Sequence, residues 1–118
     1  MWKLESYEKH TIECSDMAIS FSGKLVELIE HNGLRPGDKI PVPLSTFELK
    51  KIVIWSTAHV DRPTPSYPPI PSEVTFFRGF TDEDIGKLVE AAKVMRNESL
   101  ELGCELEIRR RNELLGAV

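Results

Sequence analysis

The hydrophobic periods along this chain predict an α+β fold, a small sheet packed with helices. Trp2-Lys3-Leu4-Glu5 and Thr11-Ile12-Glu13-Cys14 alternate apolar and polar residues, the period of strands with one buried face. Several later segments instead carry apolar residues at helical spacing behind plausible N-caps. Between these lies Ile40-Pro41-Val42-Pro43-Leu44, whose alternating prolines cannot donate to a sheet ladder and so suit only an edge strand or an extended arm.

In order, the first two alternating runs form a hairpin, with a turn between Ser6 and Lys9 that contains neither Gly nor Asn. Asp16 is the expected cap of a first turn at Met17-Ala18-Ile19, and Ser22-Gly23 separates it from a second helix. That helix has Leu25, Leu28 and Ile29 on one face and ends at His31-Asn32-Gly33, where Gly or Asn accepts the left-handed conformation. Ser45 precedes Glu48 by the spacing of a capping box, opening a helix-like run to Val60. Phe47, Leu49, Ile52, Val53, Ile54 and Trp55 cover more than one stripe of it, so it is expected to be central in the fold. The proline-dense stretch 61–73 is expected to be a polyproline-like surface loop without helix. Thr81 and Asp84 open a helix through Ile85, Leu88, Val89, Ala92 and Met95. Ser99 is the expected cap of a last helix ended by Gly116, in which Gly103 costs about 1 kcal/mol relative to Ala.

Size and composition set limits on function. A chain of 118 residues, 41% apolar and 29% charged, is one ordinary globular domain. The net charge of −4 argues against a nucleic-acid partner, and Arg109-Arg110-Arg111 reads as a solvated helix end favouring the dipole. No run approaches the length of a membrane span, and the N-terminus lacks a signal-peptide pattern, so a cytoplasmic or nuclear location is expected. Cys14 and Cys104 fit no CxxC spacing and are expected to be free, buried thiols. His10, His31 and His59 have no partner at helical metal-site spacing, and the glycines form no phosphate cradle. Asp82-Glu83-Asp84 suits a helix N-terminus better than a paired-acid catalytic site. No cofactor, metal or catalytic residue is expected, and the chain is not read as an enzyme.

The segment Ile40-Pro41-Val42-Pro43-Leu44, then Leu49-Lys50-Lys51-Ile52-Val53-Ile54-Trp55 with His59 and Asp61-Arg62-Pro63, resembles the Skp family, the BTB/POZ-fold adaptors of SCF-type cullin–RING ubiquitin ligases. Ser22-Gly23 with Leu25 and Leu28-Ile29-Glu30, Phe77 and Phe80, and Leu88-Val89-Glu90-Ala91-Ala92 are similar to further parts of that family. The likeness runs from about Trp2 to about Ile108, and elongin C is a more distant relative of the same fold.

The resemblance implies a BTB/POZ domain over 1–97, including the loop 61–73, and a helical extension over 98–118. It implies an adaptor that binds a cullin N-terminal domain through one surface and an F-box substrate receptor through another. The cullin-facing positions would be Lys93 and Val94, where the family usually carries an Asn-Tyr pair, with neighbours on the helix after Ser22. The receptor-facing positions would be Leu88, Leu100, Leu102, Leu106 and Ile108; for Leu88 a place in the protein's own core is the stronger expectation. The family continues past the position of Val118 through further receptor-gripping helices, so either a truncated chain or a reduced receptor surface is expected here. The alternative is a BTB/POZ module that pairs with a second copy of itself and binds no cullin.

Overall fold

The computed structural model describes residues 1–116. It is a mixed α+β structure with three strands and six helices: β1 (Trp2–Glu5), β2 (Thr11–Cys14), α1 (Asp16–Ile19), α2 (Gly23–Asn32), β3 (Lys39–Pro41), α3 (Thr46–Ala58), α4 (Pro71–Phe77), α5 (Asp82–Met95) and α6 (Glu98–Gly116). Ala117 and Val118, the end of the expected 98–118 extension, lie outside the described residues, so nothing bears on Gly116 as a terminator.

The sheet has the order β2-β1-β3. β1 pairs antiparallel with β2, Leu4 opposite Ile12, and parallel with β3, Leu4 opposite Ile40. The proline-bearing strand is therefore an edge, as its missing donors require. Lys9 closes the hairpin turn at φ 70, a left-handed conformation that no Gly or Asn is present to supply. Trp2, Leu4, Cys14 and Ile40 turn inward from the sheet. They meet Ala18, Ile19 and Leu25 from α1 and α2, and Leu49, Ile52 and Trp55 from α3. Each such leucine or isoleucine contributes about 1.5–3 kcal/mol by leaving water.

Local signals account for most helix starts. Ser45 accepts from the Glu48 N–H while Glu48 returns the bond, and Thr81 and Asp84 do the same for α5. Gly33 closes α2 at φ 59. Three expectations need correction. Ser15, not Asp16, caps α1, its hydroxyl accepting from the Ala18 N–H; Asp16 is the first helical residue and accepts from the Trp2 indole at 2.5 Å. Pro71 opens α4, so 71–73 are helical: proline at the first helical position gives up an N–H that has no intrahelical partner anyway. Asn97, not Ser99, caps α6, its side-chain oxygen accepting from the Leu100 N–H at 3.1 Å.

α5 and α6 run antiparallel after a tight corner at Arg96, which is left-handed at φ 52. Arg111 of α6 reaches back to Asp82 at the start of α5 at 3.1 Å, which fixes the direction. The α3 expectation holds for its centre, where Leu49, Ile52 and Trp55 are buried, but Phe47 and Ile54 point outward.

Candidate interaction surfaces

The proline-rich loop, the end of α3 and the first turns of α6 meet around Trp55, and this junction sets which surfaces remain free. The Trp55 indole N–H donates to the Ser99 hydroxyl at 3.0 Å, which donates to the Pro63 carbonyl at 2.5 Å. A loop without backbone ladders is thereby held at its start. Tyr67 holds it further along, its hydroxyl bonded to Glu113 and its ring beneath the Arg109 guanidinium, 4.0 Å from the centroid. Pro65 is buried in this contact, so the loop is packed against the body rather than lying free on it.

His59 stacks on the Trp55 ring at 3.8 Å between centroids. Its Nδ1 faces the Trp55 carbonyl and its Nε2 faces Glu73 Oε2, both at 2.8 Å, and both side chains are buried. A carbonyl only accepts, so Nδ1 carries hydrogen. The bond to Glu73 then needs one more proton, held either on Nε2 or on the carboxyl. Glu73 also accepts from the Ile70 N–H at 3.2 Å, so one carboxyl ties the end of α3 to the start of α4 across the loop.

Glu107 is buried on the inner face of α6, bonded to Arg110 at 2.6 Å and Arg111 at 3.1 Å. Burial alone would raise its carboxyl, but the hydrogen bonds and charges of Arg110 and Arg111 outweigh it and hold the group below the usual carboxylate range. Arg111 donates further to the Phe77 carbonyl at 3.1 Å. The basic cluster is thus divided: Arg110 and Arg111 pair with a buried acid, and Arg109 covers Tyr67. Both thiols are free and buried, Cys104 pushed up to about 12 by burial and by the Glu105, Glu101 and Glu107 carboxylates, Cys14 to about 11 by burial and by Asp16, which disfavours the thiolate in each. A groove of about 390 Å³ between Phe21, Pro63, Glu98, Ser99 and Leu102 is open and holds neither His nor Cys.

Lys93 and Val94 are both exposed at the end of α5, Val94 at 48%, with Lys93 paired loosely to Glu90. The expected receptor-facing set divides. Leu88 and Leu100 have 0% exposure and are core residues with no surface to offer a partner. Leu102 and Leu106 are half-buried beside the proline loop, lining grooves with Pro65, whereas Ile108 is 39% exposed. At about 100° per residue, Leu106 and Ile108 lie roughly 160° apart around the helix, so they cannot share one patch. Spacing by two, natural in a strand, scatters residues around a helix. The inward stripe is instead Leu100, Gly103, Cys104 and Glu107; Leu114, seven residues beyond Glu107 on the same line, is exposed, as is Leu115.

Sequence reasoning did not find the pair of His59 and Glu73, the burial of Asn97, or the reason for Gly103. Asn97 donates to Ser56 at 3.0 Å, joining the α6 cap to α3. A Cβ at Gly103 would stand 2.4 Å from the Trp55 ring, so the glycine is what lets α6 lie on the indole. Glycine inside a capped helical pattern was the one visible sign. No family model and no curated protein matches the chain.

Proposed function

We propose that this chain is a BTB/POZ-type, Skp-like adaptor that joins a cullin N-terminal domain to an F-box receptor by binding alone, in the cytoplasm or nucleus. The observation that carries the reading is the placement of exposed apolar side chains at opposite ends of the antiparallel α5–α6 pair. Val94 lies at one end, and Leu114 and Leu115 lie at the other. Sixteen residues of helix separate Glu98 from Leu114, roughly 24 Å, far enough for two partners to bind without meeting. Lone surface leucines are ordinary, but two adjacent exposed leucines at the end of a packed helix are what a partner helix would cover. The well-satisfied core between the ends suits a rigid spacer.

The receptor side of this reading rests on Ile108, Leu114 and Leu115, with Leu102 and Leu106 reachable only beside the proline loop. The cullin side rests on Lys93 and Val94, where a basic side chain and a short apolar one stand in place of an amide and an aromatic. Calorimetric titration against a cullin N-terminal domain and, separately, an F-box peptide tests both ends. Saturable binding of each is expected, with Val94→Glu weakening only the cullin and Leu114→Glu only the F-box. Lys93→Asn with Val94→Tyr is expected to tighten cullin binding. Absence of binding to either partner, together with a stable homodimer, would replace the adaptor by a self-pairing module.

A further inference from the structure

A third surface, outside both ends used above, lies on the outer face of α3. Phe47 is 44% exposed and Ile54 is 51% exposed. They are seven residues apart on one face, roughly 10.5 Å along the axis, the spacing of one heptad seam. Phe80, half-buried, widens the seam, its ring 5.9 Å from that of Phe47. The ammonium of Lys51 stands over both rings, 5.6 Å from the Phe47 centroid and 5.3 Å from that of Phe80. Lys50 flanks the same turn and is exposed.

The charges select the occupant. Lysine ion pairs among the described residues are made by Lys9, Lys39, Lys87 and Lys93; of the four that make none, Lys3, Lys24, Lys50 and Lys51, the last two stand together on this face. A chain of net charge −4 thus presents two uncompensated ammonium groups beside an apolar seam. We infer that this face of α3 docks an acidic amphipathic helix from another protein, with apolar residues seven apart against Phe47 and Ile54 and carboxylates against Lys50 and Lys51. Such a helix can follow the seam turn for turn, whereas a strand would find no backbone edge on α3 to pair with. A second copy is disfavoured, because two-fold pairing through this face sets the lysines against their own equivalents.

The probe is a fluorescein-labelled, end-capped helical peptide of about 16 residues with leucines seven apart and flanking glutamates, matched by one with lysines in their place. Anisotropy titration of the full chain should show the glutamate peptide binding at least about tenfold tighter, with the preference fading towards about 300 mM salt. Ile54→Glu should abolish binding, and Lys50→Glu with Lys51→Glu should reverse the preference. Amide chemical-shift changes should map to α3 and Phe80. Ile54 is exposed, so the Ile54→Glu protein should keep its amide spectrum and its cullin and F-box titrations, which separates this proposal from the adaptor reading. Equal affinity for the two peptides, no binding of the glutamate peptide, shifts centred elsewhere, or loss of those titrations in Ile54→Glu would each overturn it. A dimer abolished by Ile54→Glu would assign the face to a second copy and overturn it too.

Discussion

The sheet side of the molecule and the junction around Trp55 are held together by different physics. Under β1, β2 and β3 the buried side chains are chiefly apolar, Trp2, Leu4, Cys14, Ile19, Leu25 and Ile40, and stability there follows volume removed from water. Around Trp55 the interior also holds Ser56, His59, Glu73, Asn97 and Glu107, each bonded to a partner. Among the described residues no buried side-chain polar atom is left without one. The sheet side therefore tolerates a change of shape better than a hole. The junction tolerates neither a lost partner nor an added atom, because each polar group there depends on a specific neighbour.

The largest expected effect is on the apolar side: Leu4→Ala should cost about 2–5 kcal/mol in denaturant unfolding, and Leu4→Met less than about 1.5. Similar losses for the two would show that volume does not govern the sheet side. At the junction, Gly103→Ala should destabilise by about 1–3 kcal/mol although alanine is the better helix former, since its methyl meets the Trp55 ring. Gly86→Ala in α5 meets nothing within 4 Å and should stabilise by up to about 1 kcal/mol. The two glycines thus separate contact from propensity, and equal thermal shifts would erase the distinction.

Glu73→Ala should cost about 1–3 kcal/mol by leaving His59 facing an empty site. Glu73→Gln should recover most of that, because a neutral imidazole with hydrogen on Nδ1 can accept from the new amide. If the two variants are equally unstable, the bond between His59 and residue 73 is not what closes the loop. The smallest effect is acid sensitivity. The Glu107 carboxyl is lower in the folded than in the unfolded chain, so its contribution is present above about pH 4.3 and lost as pH falls through the folded value. Glu107→Gln should flatten the acid limb of a stability–pH curve, and an unchanged limb would place that sensitivity elsewhere.

Much of the fold was legible in the residues. The hairpin, the edge strand with Pro41, the capping boxes at Ser45 and Thr81 and the stop at Gly33 all follow from groups within about four residues of one another. The errors at Ser15 and Asn97 are shifts of one and two residues between polar residues that can both cap, decided by which hydroxyl or amide is turned towards the helix. The candidate surfaces were less legible. Leu100, Leu102, Leu106 and Ile108 look alike in sequence, and only the rotation of α6 against Trp55 places one in the core, two beside the loop and one in water.

The sequence by itself determined the strands and the approximate starts of most helices, because caps and periods are short-range. It also determined that the chain folds about an apolar interior with a modest negative charge. Tertiary structure decided that His59 meets Glu73, that Gly103 admits the Trp55 ring, and that Arg111 returns to Asp82. These contacts join residues 14 to 48 positions apart in the sequence, beyond the reach of any local pattern. They exist only once packing has brought separate elements within a few ångströms, and they fix which leucines stay outside.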